Sequence, residues 1–538
     1  MSDTQAAPAS SAGQAGAAAP AKPAAKAPPA PIPFTPRLAM GLFGILLAAM
    51  ASGLNGRVPG LALAEISGLS GISHDQASWL SALYSAGEMV AMPFSSWFAI
   101  TFSLRRFHLL MLGGMMLLAL VIPCIHDFNL MATLRFTQGV FSGALIPMLM
   151  MSALRFLPPP IRLHGLALYA MTATLAPNVG VWLAALVMTD PVSLQWIYWN
   201  ILPLGCLAAV MVFFGIPKLP LMLPRMKQGN WWGMALGMPG LAMLGVGVSE
   251  GVRLEWFHSP LDGALLIAGG TLTAMFLYSE WHHPTPFMRL QMLGRRNLGL
   301  GFAVFLLMLI AMSSAVGMPM SVLAQSQGLK PEQMTALGLI VGLPQIFLGS
   351  VVAMLLYQRW VDARYLFVAG LLMMATACFL SSRVTSEWMV DQFFWSQVLN
   401  ALGQPIAVVC MLFLGTSVVQ PMEGPFVSGI INTLRALGTL LGGAFVAQMQ
   451  QNRGQFHHDM LLNQAGLWMS QNSITEATTN MFSIVTAEAA VLANADIFRI
   501  FMVLILLLIP AVLYLQHIPA PVIVRPPAVK PAASERQA

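Results

Sequence analysis

Four ionisable side chains stand where the surrounding sequence is apolar: Arg57, Glu88, Arg135 and Arg435. A charge in such a setting is costly unless a partner, a backbone carbonyl or a wet cavity meets it, so each marks a candidate functional position. The chemistry open to them is proton binding at the carboxyl, and charge compensation or anion contact at the guanidinium groups.

Three of the four fall at one depth. At a helical rise of about 1.5 Å per residue, Arg57 lies roughly 10 Å before the end of its apolar run. Glu88 lies roughly 13 Å into the next run, and Arg135 about 9 Å into the fourth. Glu88 is therefore the expected partner of Arg57. Two arginines and one carboxylate leave a positive charge over, which must face water, carbonyls, a helix end or an anionic ligand. A static cluster that locks three helices together and a titrating or substrate-contacting role both fit these residues. Pro59 removes the hydrogen bond to the Asn55 carbonyl and should bend the first helix, where Gly53, Gly56 and Gly60 add pliancy.

The elements that must position these groups follow from composition. Of 538 residues, 57% are hydrophobic and 9% charged, and mean hydropathy is +0.73. Soluble domains carry roughly 25% charged residues, so the chain reads as an all-α polytopic membrane protein lying in a lipid bilayer. Fourteen runs suffice to cross a bilayer, near 38–64, 79–101, 107–124, 129–154, 163–188, 196–215, 231–249, 262–280, 298–324, 333–357, 364–381, 391–418, 425–447 and 497–516. An even count puts both ends on one side. Of 26 lysines and arginines, only Arg253, Lys330, Arg383, Arg453 and the boundary residue Arg499 fall on the outer side, with Arg57, Arg135 and Arg435 inside spans. Both termini are then expected in the cytoplasm.

The spans group as six (37–215), two (216–297, with basic flanks) and six (298–517). Residues 1–36 and 518–538 read as cytoplasmic tails, the first of them disordered, and 448–496 as a large outer loop. The net charge of +6 is a topology signal rather than a sign of nucleic-acid binding. His457, His458 and Asp459 lie together in one loop without distant matching ligands, and the four cysteines have no metal spacing, so no metal or cofactor is expected. No phosphate-binding loop suggests an ATP-driven pump, and no nucleophile or acid–base constellation suggests an enzyme. The 39 methionines would suit an adaptable cavity, though most fit ordinary core or lipid-facing positions.

At "LRFTQGVFSGALIP" (134–147), with Arg135, Gln138 and Gly139, the sequence resembles the fourth helix of the major facilitator superfamily. "GLALAEISG", "QASWLSALYSAG", "EGVRLEWFHSP", "INTLRALGTLLGG" with "NRGQFHHDML", and "ANADIFRIFMV" extend the likeness along the membrane part. In order and spacing they resemble the fourteen-span drug:proton antiporter family and its EmrB-like multidrug exporters. The resemblance implies a major facilitator fold, two six-helix bundles around a cavity with two extra central helices. It implies export of amphipathic drugs or organic acids against inward proton flow, from a cell inner membrane. It also implies a periplasmic membrane-fusion adaptor and outer-membrane channel as partners, met by the outer loop. Arg135 would be the coupling arginine of helix 4. Pro177 and Gly180 would belong to the fifth-helix antiporter motif, and Asn432 and Arg435 to the late-helix motif.

Three positions depart from the family pattern. Ala176 precedes Pro177, and Val181 follows Gly180 where paired glycines are usual. The loop between spans 2 and 3 keeps only Arg105 and Arg106 of its charged pattern. The first helix has Leu54–Asn55 where an aspartate is usual, and Asn55 carries no proton. If coupling persists, Glu88 is the best-placed carboxylate to titrate. The rival readings are an exporter or facilitator of an anionic metabolite or siderophore with altered or no proton coupling, and a non-transporting scaffold or sensor.

Overall fold

The computed structural model describes residues 34–188, 193–420, 423–471 and 479–520. The sequence readings for 1–33, 521–538 and the loop centre at 472–478 lie outside them. The described residues are helical throughout, with no strand. In chain order the helices are α1 (Pro36–Leu61), α2 (Leu63–Ser70), α3 (His74–Thr101), α4 (Leu104–Val121), α5 (Phe128–Phe156), α6 (Pro159–Met171), α7 (Leu175–Met188), α8 (Leu194–Trp199) and α9 (Leu202–Gly215). Then come α10 (Trp231–Glu250) and α11 (Pro260–His282), followed by α12 (Arg296–Met312), α13 (Gly317–Gln327) and α14 (Thr335–Leu356). The chain continues as α15 (Ala363–Ser381), α16 (Phe394–Thr416), α17 (Gly424–Gln471) and α18 (Thr479–Leu513).

Local sequence sets several of these boundaries. Thr35 caps α1 by accepting from the Leu38 N–H at 3.3 Å, with Pro36 in the first turn. Ser73 and Gln76 form a reciprocal capping box at the start of α3. Asp127 caps α5 through the Leu130 N–H at 2.7 Å. Pro59 does not break α1, which runs on to Leu61 and ends at Ala62. One missing hydrogen bond near a helix end is tolerated, because the following carbonyls find partners in the Ala62 N–H.

Twelve helical stretches are long and apolar enough to cross a membrane, and α6 with α7, bent by 43°, makes a thirteenth if counted as one span. The expected second span corresponds to α3, which has 28 residues but falls short of that apolarity. Ser78, Ser81, Ser85 and Glu88 on α3 account for the shortfall. The chain is a multi-pass membrane protein.

The expected outer loop 448–496 is mostly helix. With 48 residues, α17 is about 72 Å long at about 1.5 Å per residue, against a hydrocarbon core of about 30 Å. Its far end and the start of α18 leave the membrane as an antiparallel pair. Asp496 ties their base together, accepting from Arg453 Nε at 2.9 Å, His457 Nε2 at 2.8 Å and Arg499 at 3.1 Å.

Two packing features position the interior charges. First, α3 and α5 meet at backbone distance. A Cβ on Gly139 would stand 2.2 Å from the Tyr84 carbonyl oxygen, and one on Gly87 2.2 Å from the Phe136 carbonyl oxygen. Small residues at four-residue spacing, Gly139 and Gly143, permit this approach. Second, α10 packs against both α3 and α17, with Met89, Val90 and Leu241 buried against Ala436, Leu437 and Leu440.

Candidate functional site

Polar side chains recur on α1 at 52 and 55, on α3 at 84 and 88, and on α5 at 135, 138 and 142. These spacings put each set on one helical face, and the close α3–α5 approach brings the faces together. Arg135 Nη1 donates to Gln138 Oε1 at 2.7 Å, and Gln138 Nε2 donates to Asn55 Oδ1 at 3.3 Å. Asn55 Nδ2 donates to the Tyr84 hydroxyl at 3.2 Å, and the hydroxyls of Tyr84 and Ser142 share a hydrogen bond of 2.6 Å. Ser142 Oγ donates to Glu88 Oε1 at 3.2 Å. Glu88 and Arg135 thus terminate one chain of side-chain hydrogen bonds through three helices. Ser52 braces it, 2.6 Å from Ser142 Oγ.

Arg135 is buried, 1% exposed, and among the described residues no carboxylate pairs with it. Its guanidinium lies over the rings of Tyr84 (4.3 Å) and Tyr198 (5.4 Å), which supply cation–π stabilisation in place of an ion pair.

The expected Arg57–Glu88 pair does not form: among the described residues no ion pair joins Glu88 to Arg57 or to Arg135. The reason is angular. Two residues along a helix turn about 200°, so with Asn55 facing Tyr84 and Gln138, Arg57 faces away. Its stem crosses Gly180 of α7, where a Cβ would stand 2.8 Å from Arg57 Cγ. Arg57 Nε has no hydrogen-bond partner, and the residue lines a cavity of about 620 Å³.

That cavity is also lined by Ser81 and Ser85 of α3, Pro177 and Asn178 of α7, Gln404 of α16 and Thr439 of α17. Ser78, Ser81 and Ser85 all line it, and Glu88 follows at the same three-to-four-residue spacing, one turn deeper. Arg435, a turn below Thr439, donates from Nη1 to Thr172 Oγ1 at 3.0 Å and from Nη2 to the Thr172 carbonyl at 2.9 Å. Thr172 lies at the break between α6 and α7, where unpaired carbonyls favour a cation. Asn432 accepts from the Tyr169 hydroxyl at 2.9 Å, and Ser428 donates to the Pro147 carbonyl at 2.7 Å. The late-helix residues therefore join α17 to α5 and α6 beneath the cavity.

Sequence reasoning missed Tyr84, Ser142, Ser52, Thr172 and the α3 serines. The available signal was the helical spacing of uncharged polar residues around each charge.

A chain of membrane helices enclosing a polar, substrate-sized cavity, with buried charges around it, defines a transporter rather than an enzyme. It belongs to the Major Facilitator Superfamily, whose family model matches residues 43–445. The chain is 22% identical over 492 residues to "Multidrug export protein EmrB" of Escherichia coli K12, covering 87% of this chain and 95% of that protein. It is 22% identical over 493 residues to "Fatty acid resistance protein FarB" of Neisseria gonorrhoeae, covering 88% and 95%. Among solved structures, the human organic anion transporter MFSD10 superposes with a TM-score of 0.55 at 16% identity, covering 88% of this chain and all of that one. The protein is thus a membrane transporter of small molecules.

Proposed function

We propose that the chain is a secondary active exporter, a proton antiporter that moves amphipathic drugs or organic acids by alternating access. The observation that carries this reading is the serine face of α3, which leads from the cavity to Glu88. In the cycle, the Glu88 carboxylate takes a proton from water in the open cavity and holds it while the cavity changes sides. It releases the proton to the cytoplasm, and substrate leaves in exchange. Arg135, at the far end of the hydrogen-bonded chain, senses the same charge through its orientation rather than by contact.

In this reading residues 37–215 and 298–517 are the two moving bundles and 216–297 the linker helices, fourteen spans in all with α3 counted. The membrane is a cell inner membrane and both termini face the cytoplasm. The α17–α18 pair then projects into the periplasm, where a membrane-fusion adaptor leading to an outer-membrane channel would meet it. The relatives' names, multidrug export and fatty acid resistance, support amphipathic cargo.

The test is solute efflux from proteoliposomes under an imposed pH gradient, run with cationic and anionic candidates. Glu88→Gln is expected to abolish gradient-driven efflux while the protein stays folded. Undiminished proton-coupled counterflow in that variant would remove Glu88 as the carrier.

A second reading has its own observation: Arg57 lines the cavity with Nε unpartnered. On that ground the cargo is an anionic metabolite or siderophore, moved with altered or no proton coupling. Anion-selective flux that ignores the pH gradient would favour it, and a preference for cations would end it.

A further inference from the structure

A second cavity, of about 660 Å³, shares no lining residue with the one between the bundles. It lies between the end of α3, the start of α4, the middle of α5 and α10, on the face of the molecule where α1 begins. Phe94, Phe98, Phe102 and Phe107 form its bore, with Phe98 stacked on Phe102 and on Phe107 at 6.1 Å each. Val140 and Ala144 of α5 close one side, and Met234 and Met238 of α10 the other. The segment before α10 borders the mouth, anchored where the Met222 N–H donates to the Thr101 carbonyl at 2.9 Å. Leu110, Leu221 and Leu223 at the rim are 65%, 41% and 51% exposed, so the mouth opens on the bilayer side.

Two features say what the cavity would take. Its walls offer almost no polar atom: the Ser95 hydroxyl, the one other polar side chain on the lining, is spent on the Met92 carbonyl at 3.0 Å. At its edge stands one ionisable residue, Arg106, exposed and, among the described residues, without ion pair, hydrogen bond or ring contact, whereas its neighbour Arg105 lies over Phe213 at 4.4 Å. An apolar bore ending in one free cation, among the described residues, at the turn between α3 and α4 is complementary to one chain and one negative head. The volume falls within the range for drug-sized ligands, about 300–1,000 Å³, and methionines on the α10 wall let the bore adapt to chain shape.

We propose that this cavity binds a single-chain anionic amphiphile, its alkyl chain in the phenylalanine bore and its carboxylate or sulfate head on Arg106. The site is distinct from the inter-bundle cavity and stands independently of how that cavity is coupled. Its deep end, Val90 and Ala91, is within a helical turn of Glu88, so an occupant touches the helix that carries the polar chain. The wall supplied by α10 also gives one of the two linker helices a ligand-binding role.

The experiment uses the full chain in zwitterionic nanodiscs and a long-chain carboxylate bearing a diazirine, with cross-linked peptides read by mass spectrometry. Parallel arms use the same chain as an uncharged amide and a diazirine-bearing phosphatidylglycerol. The carboxylate is expected to label the peptides holding Phe98, Phe107 and Met238. Labelling should fall roughly tenfold in affinity for the amide and in Arg106→Gln, and return in Arg106→Lys. Filling the bore by Ala144→Trp should remove it. Arg106 is exposed, so its variants keep the fold and the test survives any failure of Ala144→Trp to fold. Labelling indifferent to Arg106→Gln, labelling elsewhere, or occupancy by phosphatidylglycerol that the carboxylate does not displace would each overturn the proposal.

Discussion

Gly143 of α5 rests directly on the backbone of Glu88 in α3: a Cβ on the glycine would stand 2.3 Å from the Glu88 carbonyl oxygen and 2.6 Å from its Cα. The side chain that carries the proposed coupling is therefore held in place by a side chain that is absent. Gly143→Ala must push α3 and α5 apart, at a cost of about 1–3 kcal/mol, as for other overpacked sites. Thermal unfolding in detergent should show a lowered midpoint. Gly113→Ala, where nothing lies within 4 Å, is the control and should leave it unchanged or raised.

Tyr84 is the junction of the hydrogen-bonded chain. Its hydroxyl meets Asn55 at 3.2 Å, Ser142 at 2.6 Å and the Ser52 carbonyl at 3.2 Å. Tyr84→Phe leaves buried partners unmatched and should destabilise by about 1–3 kcal/mol. Combined with Ser142→Ala the loss should be less than additive, because both changes remove the same bond. Additive losses in denaturation would show that the two hydroxyls act separately.

Arg435 fastens α17 to the broken end of α6 below the cavity. Arg435→Gln loses the paired donation to Thr172 and should shift the population away from the state described here. Thr174→Cys, at a cavity-lining position, should then react severalfold more slowly with a membrane-impermeant maleimide in a background without exposed cysteines. An unchanged labelling rate would mean that this contact does not hold the cavity open.

Outside the spans, Arg295 donates to both carboxylate oxygens of Glu423, at 2.7 and 2.8 Å. The guanidinium holds the Glu423 carboxyl below its usual value, chiefly through these hydrogen bonds. A depressed carboxylate stabilises the folded state fully above the unfolded value of about 4.3, and that contribution is lost as pH falls through the lower folded value. The midpoint difference between the native protein and Glu423→Gln should thus be constant from pH 7 to about pH 5 and vanish in stronger acid. A difference that grows as pH falls would contradict the pairing.

The sequence carried the architecture well because membrane helices advertise themselves. Long apolar runs have one economical solution in lipid, and the family of the fold was legible in the fourth-helix stretch around Arg135, Gln138 and Gly139. Depth was only partly legible: Glu88 packs between Gly139 and Gly143 of α5, about 9 Å along that helix from Arg135. Direction was not legible: the rise per residue fixes height, but only packing fixes rotation, and a turn of about 200° separates Asn55 from Arg57. The pairing of Arg57 with Glu88 failed for that reason. The α17–α18 pair was read as a loop because its polar face lacks the apolar continuity that marks a span. Uncharged groups such as Tyr84 and Ser142 gave little signal individually and matter here as members of a set.

The middle of the hydrogen-bonded chain is made of two carboxamides, Asn55 and Gln138. Hydroxyls can hand a proton along by accepting one and releasing another, but an amide nitrogen and oxygen keep fixed roles as donor and acceptor. The line from Glu88 to Arg135 is therefore an insulator for protons and a linkage for orientation. Charge that arrives at the carboxyl can tilt the arginine without leaking toward it. An aspartate in place of Asn55 would add a second titratable carboxyl in line with the hydroxyls of Tyr84 and Ser142, while Gln138 would still insulate Arg135; in the proposed cycle the asparagine therefore keeps the proton on a single residue.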